Sequence, residues 1–127
     1  ADPRDRLLAY VEFRKGMIQG ELMQFSCLGG TLVQEVYLSH PQIRDACTAT
    51  FDRHGTALAE DVAAAIDKYG SDGTWTADSL ALHIQAVLQG AFILAKAKQD
   101  PEAGIQCLDH LRRYLEALFN PARKTPS

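Results

Sequence analysis

Residues 76–98, TADSLALHIQAVLQGAFILAKAK, constrain this chain more than any other stretch. Leu80, Ile84, Val87, Ala91 and Leu94 recur at helical spacing, and Leu82, Ala86, Gly90, Ile93 and Ala97 lie beside them. A helix that is apolar nearly all round has to be covered on two sides. Asp100-Pro101-Glu102 follows at once: a capping side chain, a proline at the first helical position and an acid on the helix dipole. The second helix, residues 101–119, carries Gly104, Leu108, Leu111, Leu115 and Leu118 on one stripe. The linker is so short that the two helices must pack antiparallel. One side of this hairpin is expected to meet the rest of the chain, and the other a second copy.

The remainder also reads as helix. Asp2-Pro3 opens a stretch over residues 3–20 with Leu7, Leu8, Val11 and Ile18 on one stripe and Tyr10, Phe13 and Met17 beside it. Phe13 and Met17 suit either core packing or the adaptable wall of a cavity. Within residues 22–39, the stretch from Cys27 to Leu38 keeps helical spacing around Gly29-Gly30, which fits a close helix contact or a soft turn. Ser39-His40-Pro41 starts a long helix ending at Gly70, with Cys47, Phe51, His54, Leu58, Val62, Ile66 and Tyr69 on one face. GSDGTW is a loop, and Trp75 at its end is a plug for the bundle or a lid over a cavity. No strand pattern occurs. The expected fold is all-α, an antiparallel bundle of about five helices in one domain over residues 1–120. Residues 121–127 form a tail expected to be disordered.

Composition narrows the function. The net charge is −3, and the 13 Lys and Arg residues are scattered. With no basic stripe to neutralise phosphates, the chain alone is a poor nucleic-acid binder. Three cysteines, Cys27, Cys47 and Cys107, are odd in number and widely spaced, which points to free thiols in a reducing compartment. No apolar run is read as membrane-spanning and no signal peptide opens the sequence, so a cytoplasmic location is expected. None of His40, His54, His83 and His110 forms an HxxxH or ExxH pair, and CxxC and nucleophile-elbow motifs are missing. The chain is therefore expected not to be an enzyme and to need no metal or cofactor. His54 and His83 fall on apolar faces, as core histidines or as polar anchors in an apolar pocket. Gln85 and Gln89 pose the same question, and Gln89 suits a helix interface.

Two stretches carry a family resemblance: CLGGTLVQEVYLSHPQIRDAC and SLALHIQAVLQGAFILAKAKQDPEAGIQCLDHLRRYLEALF. They resemble the C-terminal regulatory domain of TetR/AcrR-type bacterial transcriptional repressors. The resemblance implies a small-molecule pocket among the helices and a homodimer in which the last two helices form an intersubunit four-helix bundle. It also implies an N-terminal helix-turn-helix that binds operator DNA and is released when effector binds. That domain is absent from this sequence, which starts at the first regulatory helix; truncation is the favoured reading. The pocket wall is then expected at Phe13, Met17, Cys27, Leu28, Phe51, His54, Trp75, His83 and Val87, for a hydrophobic or aromatic effector with one or two polar handles. The dimer seam is expected at Gln89, Phe92, Ile93, Lys96, Leu111, Leu115 and Leu118. Two other readings stay open: a helical dimerisation module with a filled core and no ligand, and a small thiol enzyme using a Cys–His pair.

Overall fold

The computed structural model describes residues 2–18 and 39–121, with the backbone alone at Ile43. Among the described residues there are four helices: α1 (Pro3–Ile18), α2 (Pro41–Tyr69), α3 (Ala77–Lys98) and α4 (Pro101–Leu118). The helix expected from Cys27 to Leu38, Gly29-Gly30 included, and the end of the expected tail, residues 122–127, lie outside the described residues.

Local chemistry sets each start. Asp2 caps α1, its Oδ1 accepting the Arg4 N–H at 2.8 Å. Pro41 opens α2, whose 29 residues make a rod of roughly 43 Å. Gly70, at φ 84°, ends that rod and donates its N–H to the Ile66 carbonyl at 2.7 Å. Thr76 and Ser79 form a reciprocal capping box on α3, each side chain accepting the other's backbone N–H at 3.0 Å. Between α3 and α4, Gln99 adopts a left-handed φ of 51°. Asp100 then donates its N–H to Ala95 at 2.9 Å, while its Oδ1 accepts the Glu102 N–H at 3.0 Å. One residue thus closes α3 and opens α4.

The helices form an antiparallel ring in which α1 packs on α2 and α4, and α3 packs on the same two from the opposite side. The α1–α3 diagonal is a minor contact. Leu7, Leu8, Val11 and Ile18 of α1 meet Leu58, Val62 and Ala65 of α2, the inner face of α3, and Ile105, Leu108, Leu111 and Leu115 of α4. Phe119 seals one end, with the rings of Tyr69 and Trp75 at 6.4 and 6.1 Å. Trp75 is therefore the plug of the two roles open to it.

α3 and α4 approach each other tightly at Gly104. A Cβ at Gly104 would lie 2.8 Å from the Ala91 carbonyl oxygen, 3.0 Å from Ile18 Cδ1 and 3.2 Å from Ala95 Cβ. The glycine stands where no side chain fits, and α1 ends against the same point.

Three expectations are corrected. By length and composition, α3 is long and apolar enough to cross a membrane, contrary to the sequence reading. Within the bundle it packs against both α2 and α4. Phe92, Leu111 and Leu115, expected at a dimer seam, are buried in the core of their own chain. The inner face of α3 is Leu80, Ala81, Ile84, Leu88, Ala91, Phe92 and Ala95, so Val87 and Leu94 sit off the stripe assigned to them.

Gly104→Ala adds helix propensity worth about 1 kcal/mol. Overpacking against a backbone oxygen costs about 1–3 kcal/mol. Net destabilisation, seen as a lower urea midpoint, is the expected result. A second prediction concerns acid. Asp2 Oδ2 accepts hydrogen bonds from the Tyr69 hydroxyl and from Lys68 Nζ at 2.9 Å. Chiefly through the Tyr69 bond and then the Lys68 bond, its carboxyl falls from 3.8 to about 2. A depressed folded value stabilises the fold above the unfolded value and loses that contribution as pH drops. Thermal melts should therefore show a stability loss between about pH 4 and pH 2 that Asp2→Asn reduces.

Candidate functional site

Among the described residues, two open clefts flank α2. The first, of about 410 Å³, lies between α1 and α2 and is lined by Arg6, Ala9, Tyr10, Phe13, His54, Ala57, Leu58 and Asp61. The side chains of α1 that reach it stand outside the buried Leu7, Leu8 and Val11 stripe. Ala9 on one wall and Ala57 on the other are too small to fill the gap. The floor is Leu58, which is buried. Arg6 Nε and Asp61 Oδ1 pair across it at 2.9 Å. Phe13 is 66% exposed although it is one of the larger apolar side chains in the protein. Its volume falls within the range usual for small-molecule sites.

The second cleft, of about 300 Å³, lies between α2 and α3 and is lined by Phe51, Asp52, Gly55, Thr56, Asp78, Ala81, Leu82 and Gln85. It carries two carboxylates, and its amide is already committed: Gln85 Nε2 donates to the Phe51 carbonyl at 2.7 Å. The α1–α2 cleft is the better site for an apolar ligand, because burying either carboxylate of the second would cost desolvation without a partner.

The expected pocket wall is thus divided. Phe13 and His54 share the first cleft, and Phe51 lines the second. Met17 and Val87 are half-buried against the core. Trp75 packs on Phe119. His83 is exposed on the outer side of α3, where its ring meets Tyr114 of α4 edge-on at 5.7 Å. Cys27 and Leu28 lie outside the described residues. Of the thiols described, Cys47 is buried and Cys107 half-buried, and both are free. The sequence reading passed over Ala9, Ala57 and Asp61. Small residues facing each other across two helices are a signal for space, but the facing cannot be read without the register of the pair.

A polar cluster continues the first cleft along α1. One turn beyond Tyr10, Arg14 donates from Nη1 to the Tyr10 hydroxyl at 2.9 Å. Its guanidinium carbon lies 4.9 Å from the centre of the Phe92 ring and 5.8 Å from that of Tyr10. Both are within cation–π reach.

The outer face of the α3–α4 hairpin is the other feature of note. Leu82, His83, Ala86, Gly90, Ile93, Leu94 and Ala97 run along α3 there without a charged residue among them. Leu82 is 68% exposed, Leu94 43%, and Tyr114 beside them on α4 45%. Of the expected seam, Ile93 belongs to this face. Gln89 and Lys96 are half-buried towards its flank, and Leu118 is half-buried at the end of α4.

Residues 3–110 match the family described as the transcriptional regulator LmrA/YxaF-like, C-terminal domain. The chain belongs to this family. The match takes in α1, α2, α3 and the first half of α4, so both clefts and most of the uncharged face lie within the LmrA/YxaF-like domain. No curated protein and no solved structure matches the chain.

The two phenylalanines separate wall from core. Phe13→Ala should change stability by no more than about 0.5 kcal/mol, as exposed positions do. Phe92→Ala should cost about 3–5 kcal/mol, as for other buried aromatics. Urea unfolding of both variants checks the contrast.

Proposed function

We propose that this LmrA/YxaF-like domain is the effector-sensing and dimerising part of a cytoplasmic TetR-like repressor. A small hydrophobic or aromatic ligand occupies the α1–α2 cleft, and its binding releases operator DNA from a helix-turn-helix domain that is not part of this sequence. The observation that carries the reading is the cleft: an apolar wall with Phe13 uncovered and small residues opposite, in a chain of a regulator family. A domain evolved only to dimerise gains nothing from leaving that aromatic in water. The ligand acts by differential binding, shifting the repressor as far as its affinities for the two states differ.

The second copy is assigned to the outer face of the hairpin. An apolar helix face without a charge is the kind of surface that homodimers cover. Ile93, Leu94, Leu82 and Tyr114 carry the contact, with Ala86 and Gly90 letting the partner helix come close. Phe92, Leu111 and Leu115 support this face from behind by filling the core beneath it.

The test is a thermal-shift screen of the chain against apolar and aromatic metabolites, with light scattering for the oligomeric state. A ligand at a hundred times its Kd should add about 2.7 kcal/mol of stability. Ala57→Trp, which fills the cleft, should abolish the shift and leave the dimer intact. Leu94→Glu should yield monomers. Silence across the screen from a stable dimer would favour a dimerisation module without ligand.

A further inference from the structure

Arg14 brings a full positive charge to the edge of an apolar interior and leaves it incompletely partnered. A guanidinium has five N–H donors. Here Nη1 donates to the Tyr10 hydroxyl, while Nε is buried with no hydrogen-bond partner. Among the described residues no carboxylate pairs with Arg14, although Arg6, Arg112, Lys15 and Lys68 all hold one. Arg4 also has a buried Nε without a partner, but its Nη2 reaches the Glu116 carbonyl at the far end of α1. What holds Arg14 in place is aromatic: the Phe92 ring beneath it, itself fully buried, and Tyr10 beside it. On α3, one turn before Phe92, Gln89 has a buried Oε1 that likewise lacks a partner.

A buried donor and a buried acceptor left open in a native fold are costly, each by about 1–3 kcal/mol. The donor on Arg14 is one an anionic ligand can complete, whereas Gln89 Oε1 is an acceptor and calls for a donor. Arg14 stands on the same row of α1 as Arg6 and Tyr10, which line the cleft, one turn beyond Tyr10 and about two beyond Arg6. The cleft carries a paired Arg6 and Asp61 at one end and the apolar Phe13 and Tyr10 towards the other, and the Arg14 guanidinium bonds the hydroxyl of Tyr10 in that wall.

We propose that Arg14 is the anion-binding handle of the α1–α2 cleft, so that the effector is an amphiphile with an aromatic body and a carboxylate. The inference rests on the reading of that cleft as the effector site. A guanidinium edge offers two parallel donors that match the two oxygens of a carboxylate. A neutral acceptor would satisfy the N–H groups and leave the charge uncompensated in a half-buried setting, so a carboxylate is selected over its amide.

The experiment titrates the full chain with benzoate, cinnamate and 2-naphthoate, each against its neutral amide. In the wild type at least one carboxylate should bind at least tenfold more tightly than its amide. The Arg14 Nε–H resonance should shift on adding it. Arg14→Gln should remove the preference while leaving amide affinity within twofold, and Arg14→Lys should restore part of it. Equal affinities within every pair in the wild type would overturn the proposal whether or not the variants fold. So would a preference that survives Arg14→Gln. If carboxylates and amides bind equally and Ala57→Trp abolishes both, the cleft remains the effector site and the role of Arg14 falls. If nothing binds, both readings fall.

Discussion

The backbone contact at Gly104 sets the geometry that the rest of the bundle follows. With the Ala91 oxygen 2.8 Å from where a Cβ would stand, α3 and α4 meet almost main chain to main chain. Ala91 and Ala95 on one helix and glycine on the other are the smallest pairing available. The approach draws in α1 as well, since Ile18 occupies the third side of the same point. Once three helices are fixed there, the Leu108, Leu111 and Leu115 stripe of α4 has one surface to fill, and it fills it. Ion pairs along the α1–α4 seam, from Lys15 to Asp109 at 2.8 Å and from Arg112 to Glu12 at 2.7 Å, tie this contact down at its margin. Being partly exposed, they add little energy of their own.

The tightness is unevenly spread. The second half of α2, from Leu58 to Tyr69, is bound into the core. In its first half, from Pro41 to Ala57, Cys47 alone is buried among the described side chains. Both clefts border that half or its junction with the second. Among the described residues, this sparsely packed half of α2 thus borders both clefts, and low local packing is what makes a binding surface adjustable.

The sequence was most legible where local chemistry decides. Asp2-Pro3, His40-Pro41, Thr76 and Asp100-Pro101 each mark a helix start that the structure keeps, and Gly70 ends α2 as expected. These signals act within a few residues and owe nothing to the tertiary fold. The faces were legible where a helix is clearly two-sided, as in α4. They failed on α3, because a helix apolar all round carries no pattern that says which side turns inward. Phe92 went to the wrong side for that reason, and Leu111 and Leu115 were carried along with it. His83, expected to look into a pocket, instead meets Tyr114 outside. The candidate site was half legible: Phe13 and His54 do come together, but Phe51, on the same helix as His54, faces the other cleft. That division depends on the register between α2 and its two neighbours, which one sequence does not encode locally.

The junction at Gln99 and Asp100 has a consequence for how this chain tolerates change. Asp100 terminates one helix through its N–H and begins the next through its carboxylate, with a left-handed residue before it and a proline after it. No slack exists to take up an added or deleted residue. A single insertion carried into α4 would turn that helix by about 100° and swing Gly104 away from Ala91. An insertion held in the turn would surrender one of the two caps. Length at this point is therefore as tightly specified as residue identity, and natural variation between α3 and α4 should consist of substitutions, with gaps confined to other parts of the chain.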